Sequence, residues 1–240
     1  MSARPVVLAA ALFSSLPAGA QTLDEIVARH VAARGGLEKL RAVRTIRMTG
    51  RAVAGPGRDA IVRREIARPG RIRTEFVFQG TTGVYVWDGT RGFQVSPLDG
   101  RFEPEPLSAE AAAVSAEQAD FEGPLVDWKA KGHKLKLVGE TALPAGKAHQ
   151  IEVTLKSGVV RRLWLDATSG LLVRSESTRK LRGHETAVEV AYSDYREAGG
   201  LRFAHAIEIG ARGRPQRLRI TVEKVELNPA LDESRFAVPR

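Results

Sequence analysis

From Lys147 to Asn228 the chain places an apolar side chain at nearly every second position, broken only by short turn signals. Ile151, Val153 and Leu155 fall on one face, with Glu152 and Thr154 on the other. The alternation repeats through Leu163/Leu165, Val188/Val190/Tyr192, Phe203/Ile207/Ile209 and Leu218/Ile220/Val222. A period of two belongs to an antiparallel sheet with one buried face and one wet face. A large sheet with a greasy face, in a stretch without a catalytic signature, suits holding something apolar rather than transforming it.

The N-terminal half carries the same sheet signals behind a helical opening. Thr22 and Glu25 have the spacing of a capping box. Ile26, Val27, His30 and Val31 make a helical stripe that Gly35-Gly36 ends, and a short second helix covers Leu37 to Val43. Strands are expected at 45–54, 59–67, 72–78, 84–87 and 92–96, joined by turns at Gly55-Pro56-Gly57, Pro69-Gly70 and Asp88-Gly89. The middle breaks the pattern. Ser108 caps an Ala-rich helix running to about Asp120, and Gly123-Pro124 starts another that holds Leu125, Val126 and Trp128 and closes at Gly132. The Ser108–Asp120 helix has a thin apolar stripe and docks with little buried area, so it is a candidate lid or an ordinary covering helix. Strands then resume at His133. The total of about eleven or twelve exceeds what a flat open sheet holds comfortably. The expected class is mainly β (α+β): a strongly curled antiparallel half-barrel with helices over its concave face.

Residues 1–20 read as a signal peptide and 21–240 as a single domain. Arg4 supplies a basic start, Val6 to Leu16 an apolar stretch too short to span a bilayer, and Ala18-Gly19-Ala20 a cleavage site before Gln21. A soluble product exported to the periplasm is expected. The chain has no cysteine, so neither disulfides nor a lipid-modified cysteine can hold it. Its formal charge is +9, with the basic residues dispersed along strands: Arg63, Arg64, Arg71, Arg73, Arg161, Arg162, Arg217 and Arg219. That spread reads as a solvated outer face, with an anionic lipid or membrane surface as the other reading.

Enzyme signatures fail in turn. There is no nucleophile elbow, phosphate loop or dinucleotide fingerprint. The histidines, His30, His133, His149, His184 and His205, show no metal-ligand spacing. His205 shares a face with Phe203 and Ile207 and reads first as a core histidine satisfied by a hydrogen bond, with a ligand contact or a pH-sensitive group as the other reading. Asp88, Asp166 and Asp194 stand where turns favour aspartate. Trp164 faces opposite Leu163 and Leu165 and reads as ordinary packing on a second surface, with an exposed partner site as the alternative. No aromatic-basic platform for nucleic acid is present. No catalytic residue, metal or cofactor is therefore expected.

Several segments carry a family resemblance. Arg34-Gly35-Gly36-Leu37-Glu38-Lys39-Leu40 leads into a strand ending Thr49-Gly50. Val86-Trp87-Asp88-Gly89, Leu163-Trp164-Leu165-Asp166-Ala167-Thr168-Ser169-Gly170-Leu171 and Ser193-Asp194-Tyr195-Arg196-Glu197 follow. Gly199-Gly200-Leu201-Arg202-Phe203 and Leu227-Asn228-Pro229 to Phe236 complete the series. The succession resembles the LolA-like outer-membrane lipoprotein-sorting proteins over nearly the whole chain after residue 20. The resemblance implies an open half-barrel whose cavity accepts acyl chains. Strand alternation assigns the ligand-contacting set to Phe76, Phe78, Val86, Ile151, Val153, Leu165, Val190, Ile207 and Ile220. The expectation is a monomeric, non-enzymatic periplasmic carrier or binding protein for lipoprotein acyl chains or another lipid. Inner- or outer-membrane proteins are further candidate partners, and nucleic acid is not one. The alternative is a sensor or scaffold that binds a protein without lipid cargo. The longer C-terminal half and the positive charge depart from the lipoprotein carriers and leave the cargo open.

Overall fold

The first and last strands of the chain pair with each other, and two meanders grow outward from that seam. The computed structural model describes residues 21–144, 146–181 and 184–237; the expected signal peptide lies outside them. Helices α1 (Leu23–Ala33) and α2 (Leu37–Ala42) precede strands β1 (Thr45–Val53), β2 (Asp59–Ala67), β3 (Arg71–Phe78), β4 (Thr81–Trp87), β5 (Gly92–Ser96) and β6 (Arg101–Pro106). Helix α3 (Ala109–Ala119) leads to β7 (Lys134–Leu143), β8 (Gly146–Thr154), β9 (Val160–Asp166), β10 (Leu172–Leu181), β11 (His184–Ala198), β12 (Leu201–Ala211) and β13 (Leu218–Leu227). All thirteen strands form one sheet, in the order β6-β5-β4-β3-β2-β1-β13-β12-β11-β10-β9-β8-β7. Every pairing is antiparallel. No helix of the described residues is long and apolar enough to cross a membrane.

Three sequence expectations need correction. The extra strand is β6, whose Pro104 and Pro106 look like breakers. Proline survives at an edge, where the outward N–H needs no partner, and every residue of β6 is exposed. The helix expected after Gly123-Pro124 is instead a series of turns. The segment is too short to offset the cost of helix nucleation, and Asp127 sits at φ 50, in the left-handed region. Leu125 and Val126 are nonetheless buried. Lastly, the sheet is open and not strongly curled. Its edges β6 and β7 do not pair, so the wide apolar face is covered by helices rather than by closure.

Directly paired residues share a face of the sheet, so the register traces the covered face from edge to edge. It runs from Tyr85 through Thr74, Arg64 and Met48, and in the next row from Ala52 through Ile220 to Ile207. It continues from Ile209 through Val190, Ser175 and Leu163 to Ile151 and Leu137. α1 has the capping box read from Thr22 and Glu25, and buries Ile26, Val27 and His30. Ile26 and Val27 join Leu125, Ile151, Val153, Leu163 and Leu165 in one apolar cluster. α2 contributes Leu40 to a second cluster with Ile46, Ile66, Ile72, Val126 and Phe203. Gly35 ends α1 at φ 115, and a Cβ there would strike the Gly200 carbonyl oxygen, so this crossing of chain segments requires glycine.

Polar bonds clamp this layer. His30 Nδ1 lies 2.9 Å from the Gly170 carbonyl, which fixes α1 to the β9–β10 turn. Arg34 donates to the Glu122 and Phe121 carbonyls at 2.6 and 3.1 Å. Arg68 donates to the Val43 and Leu40 carbonyls and to the Glu122 carboxylate. On the opposite face, the C-terminal segment is stapled through Arg235, which reaches buried Glu65 at 2.6 Å and Glu75 at 3.1 Å. Trp164 is buried on that opposite face under the Arg174 guanidinium, 4.7 Å from the ring centroid.

Candidate functional site

α3 differs from α1 and α2 in how it covers the sheet. Its sequence is AEAAAVSAEQA, Ser108 caps it by accepting from the Ala111 N–H, and only Ala119 is fully buried. Alanine gives the helix high propensity but little side-chain volume to fill the space beneath it. The consequence is a cavity of about 550 Å³ between α3 and the covered face. This falls in the size range of small-molecule sites.

The cavity draws on strands far apart in the sheet order. Ile72, Thr74 and Phe76 come from β3, Tyr85 from β4, Ile209 from β12, and Leu218 and Ile220 from β13; Val114 looks down from α3. The Phe76 and Tyr85 rings pack edge to face, with centroids 6.2 Å apart at 87°, and make a stiff aromatic wall. The polar contributors include Arg64 on β2, Glu110, Glu117 and Gln118 on α3, and Thr178 and Arg179 on β10.

α3 is tied down at its C-terminal half. Glu117 accepts from Arg179 at 2.8 Å and lies 3.4 Å from Arg161 of β9. A second cavity, of about 440 Å³, shares Ala113 and Glu117 with the first and extends toward Lys131, His133 and Leu155. Lys131 donates to Asp120 at 2.7 Å and to the Gly123 carbonyl at 2.9 Å. Burial nevertheless holds the Asp120 carboxyl above the usual carboxylate range, against the pull of Lys131.

Of the residues picked from sequence, all except Val86 lie on the covered face. Val86 pairs with Arg73, whereas Tyr85 pairs with Thr74, so Val86 belongs to the opposite side. Phe76 and Ile220 line the larger cavity. Ile151, Val153 and Leu165 are wholly inaccessible in the cluster beneath α1. Phe78, Val190 and Ile207 are half-buried on the covered face, outside the cavity lining. His205 is a core histidine, with Nδ1 2.7 Å from the Val222 carbonyl. The reading of the basic residues as an outer face fails at Arg64 and Arg161, which occupy the covered face. Arg64 was findable from sequence, since it alternates with Val62 and Ile66. Arginine at an inward position was the signal.

Comparison with protein-family models gives no match, and comparison with curated protein sequences gives none. Solved structures do match in fold. The chain is similar to a domain described as an outer membrane lipoprotein-sorting protein domain from Vibrio parahaemolyticus, at 11% identity and TM-score 0.57, over 88% of this chain and 94% of that one. It is similar to a LolA superfamily protein from Nitrosomonas europaea at 13% identity and TM-score 0.58, over 90% and 97%. A DUF1329 family protein from Desulfovibrio piger aligns at 11% identity and TM-score 0.57, over 90% and 97%. At these identities the likeness establishes a LolA-like fold.

Proposed function

We propose that this protein is an exported, non-enzymatic carrier or binding protein for a lipid or the acyl chains of a lipoprotein. The cavity beneath α3 carries the reading: a helix of small residues roofs an apolar space on the covered face of the sheet. Binding would draw on chain burial, at about 0.8 kcal/mol per methylene. Phe76 and Ile220 are the proposed contacts from the sequence set, joined by Ile72, Tyr85, Ile209 and Leu218. Phe78, Val190 and Ile207 would extend the contact surface if α3 swings away. The lipoprotein-sorting description of a similar structure supports the same reading, and the proposed signal peptide would place the protein in the periplasm.

Native mass spectrometry of protein purified from the periplasm, with solvent extraction, tests the proposal. A bound lipid, lost when Ile220 is replaced by Trp, is the expected result. Protein that emerges without lipid and takes up none from vesicles would overturn it.

The second reading, a scaffold or sensor for a protein partner, is favoured by the open β7 edge with its exposed Val138. An unpaired edge is a template for strand addition. A stable protein complex together with no extractable lipid would select it.

A further inference from the structure

We propose that Arg64 is an acid-recognition site inside the cavity, taking the headgroup of a single-chain anionic amphiphile whose tail lies under α3. The inference rests on the reading of the cavity as a lipid site and specifies which lipid chemistry it takes. Arg64 projects from β2 on the covered face, between Met48 of β1 and Thr74 of β3, and lines the cavity with Phe76 and Ile220. Its Nε is shut off from solvent and has no hydrogen-bond partner, and the guanidinium forms no ion pair with any described residue.

The neighbouring arginines make the contrast plain. Arg47 and Arg73, the next inward-sheet neighbours on the other face, pair with Glu65 and Glu75. Arg68 pairs with Glu122, and Arg161 and Arg179 share Glu117. The acids that border the cavity leave Arg64 alone: Glu117 is taken by those two arginines, and Glu110 is exposed in the first turn of α3. Tyr192, also on the covered face, directs its hydroxyl to Ser175.

An arginine cannot shed its proton to escape burial. Arg64 is half-buried with no counter-charge, so its guanidinium is only partly hydrated, and an anion would supply the partner that the cavity wall lacks. The guanidinium fork fits a carboxylate or a phosphate in two parallel hydrogen bonds, strengthened where water is excluded. The apolar walls on either side of Arg64 require that the acid be attached to a hydrocarbon chain. A free inorganic anion would meet one end of this site and nothing else.

Displacement of the neutral probe Nile red from the full chain tests this, with oleate, oleyl alcohol and oleoyl lysophosphatidate as competitors. At least one of the two acids is expected to displace the probe at about tenfold lower concentration than the alcohol, the share of one charge-assisted pair. Oleate prevailing identifies a fatty-acid carboxylate, and lysophosphatidate prevailing a phospholipid headgroup. Arg64→Met is expected to reduce the acids to the level of the alcohol without weakening the alcohol. The same substitution is expected to keep or slightly raise the melting temperature of the empty protein, because a partly desolvated, unpaired guanidinium leaves the cavity wall. Arg64→Gln serves for the same comparison if the Met variant does not fold. Acid and alcohol binding equally well would overturn the inference and leave the lipid cavity standing. Failure of all three to bind would overturn both.

Discussion

Glu117 of α3 and Arg179 of β10 meet at 2.8 Å, and this ion pair joins a small-residue helix to strands that lie well away from β3 and β4 in the sheet order. Both groups are largely buried, and Arg161 adds a second cation at 3.4 Å. Helix α3 itself offers few large side chains, so its seat over the cavity depends on this contact.

Glu117→Ala should therefore loosen α3. Two cations lose their partner, and a cost of about 1–3 kcal/mol in chemical denaturation is expected. Release of a bound acyl probe should also quicken, as read by stopped-flow fluorescence. An unchanged release rate with lowered stability would show that α3 is a fixed cover.

His30 should make stability depend on pH. Burial, with the nearby Arg34 charge, lowers its pKa to about 4, although the Gly170 carbonyl favours the protonated ring. The unfolded chain binds the proton near pH 6.5, so the neutral ring favours the fold above that pH. That stability is lost as pH falls from about 6.5 toward 4, by about 3 kcal/mol in all. Denaturant midpoints for wild type and His30→Gln across this window check the effect; the variant should lose most of the slope.

Arg235→Ala should free the C-terminal segment from the outer face of the sheet. Burial raises the Glu65 carboxyl, but Arg235 and Arg47 overcome it and hold the group below its ordinary value. Arg47 remains in the variant, so the expected loss is about 1–2 kcal/mol rather than that of a stranded charge. Limited proteolysis should cut within residues 229–237 sooner than in wild type. The contribution from Glu65 is present above its unfolded pKa and lost as pH falls through the lower folded value, so the variant should show a shallower acid limb.

Ile220→Trp should fill the cavity from its floor. Probe binding is expected to fall by about tenfold or more, with the melting temperature kept within a few degrees, since the added ring enters empty space rather than packed core. Ile151→Ala, in the cluster beneath α1, should do the reverse: a stability loss of about 2–5 kcal/mol and unchanged probe affinity.

Much of the fold was legible because alternation is a local property. Ile151/Val153, Leu163/Leu165 and Ile207/Ile209 declare their face without knowledge of the rest, and the Thr22–Glu25 box marks the start of α1 by spacing alone. Strand β6 was hidden because prolines argue against a strand unless it is known to lie at an edge. The turns at 124–132 looked helical from their apolar residues, which are buried by docking rather than by helical periodicity. Val86 was assigned to the wrong side because β4 is short, and Val84, Tyr85, Val86 and Trp87 are apolar without alternation.

The sequence by itself determined a mainly β antiparallel architecture, its covering helices and the apolar face, since each follows from side-chain spacing over a few residues. Tertiary structure alone decided which parts of that face are core and which border a cavity. That outcome depends on what lies opposite. Beneath α1, Ile26 and Val27 fill the space against Ile151 and Leu165, whereas the alanines of α3 leave it open above Phe76 and Ile220. The isolation of Arg64 was settled the same way. Its charge is written in the sequence, but that no carboxylate among the described residues pairs with it emerges only when distant strands and one helix close around it.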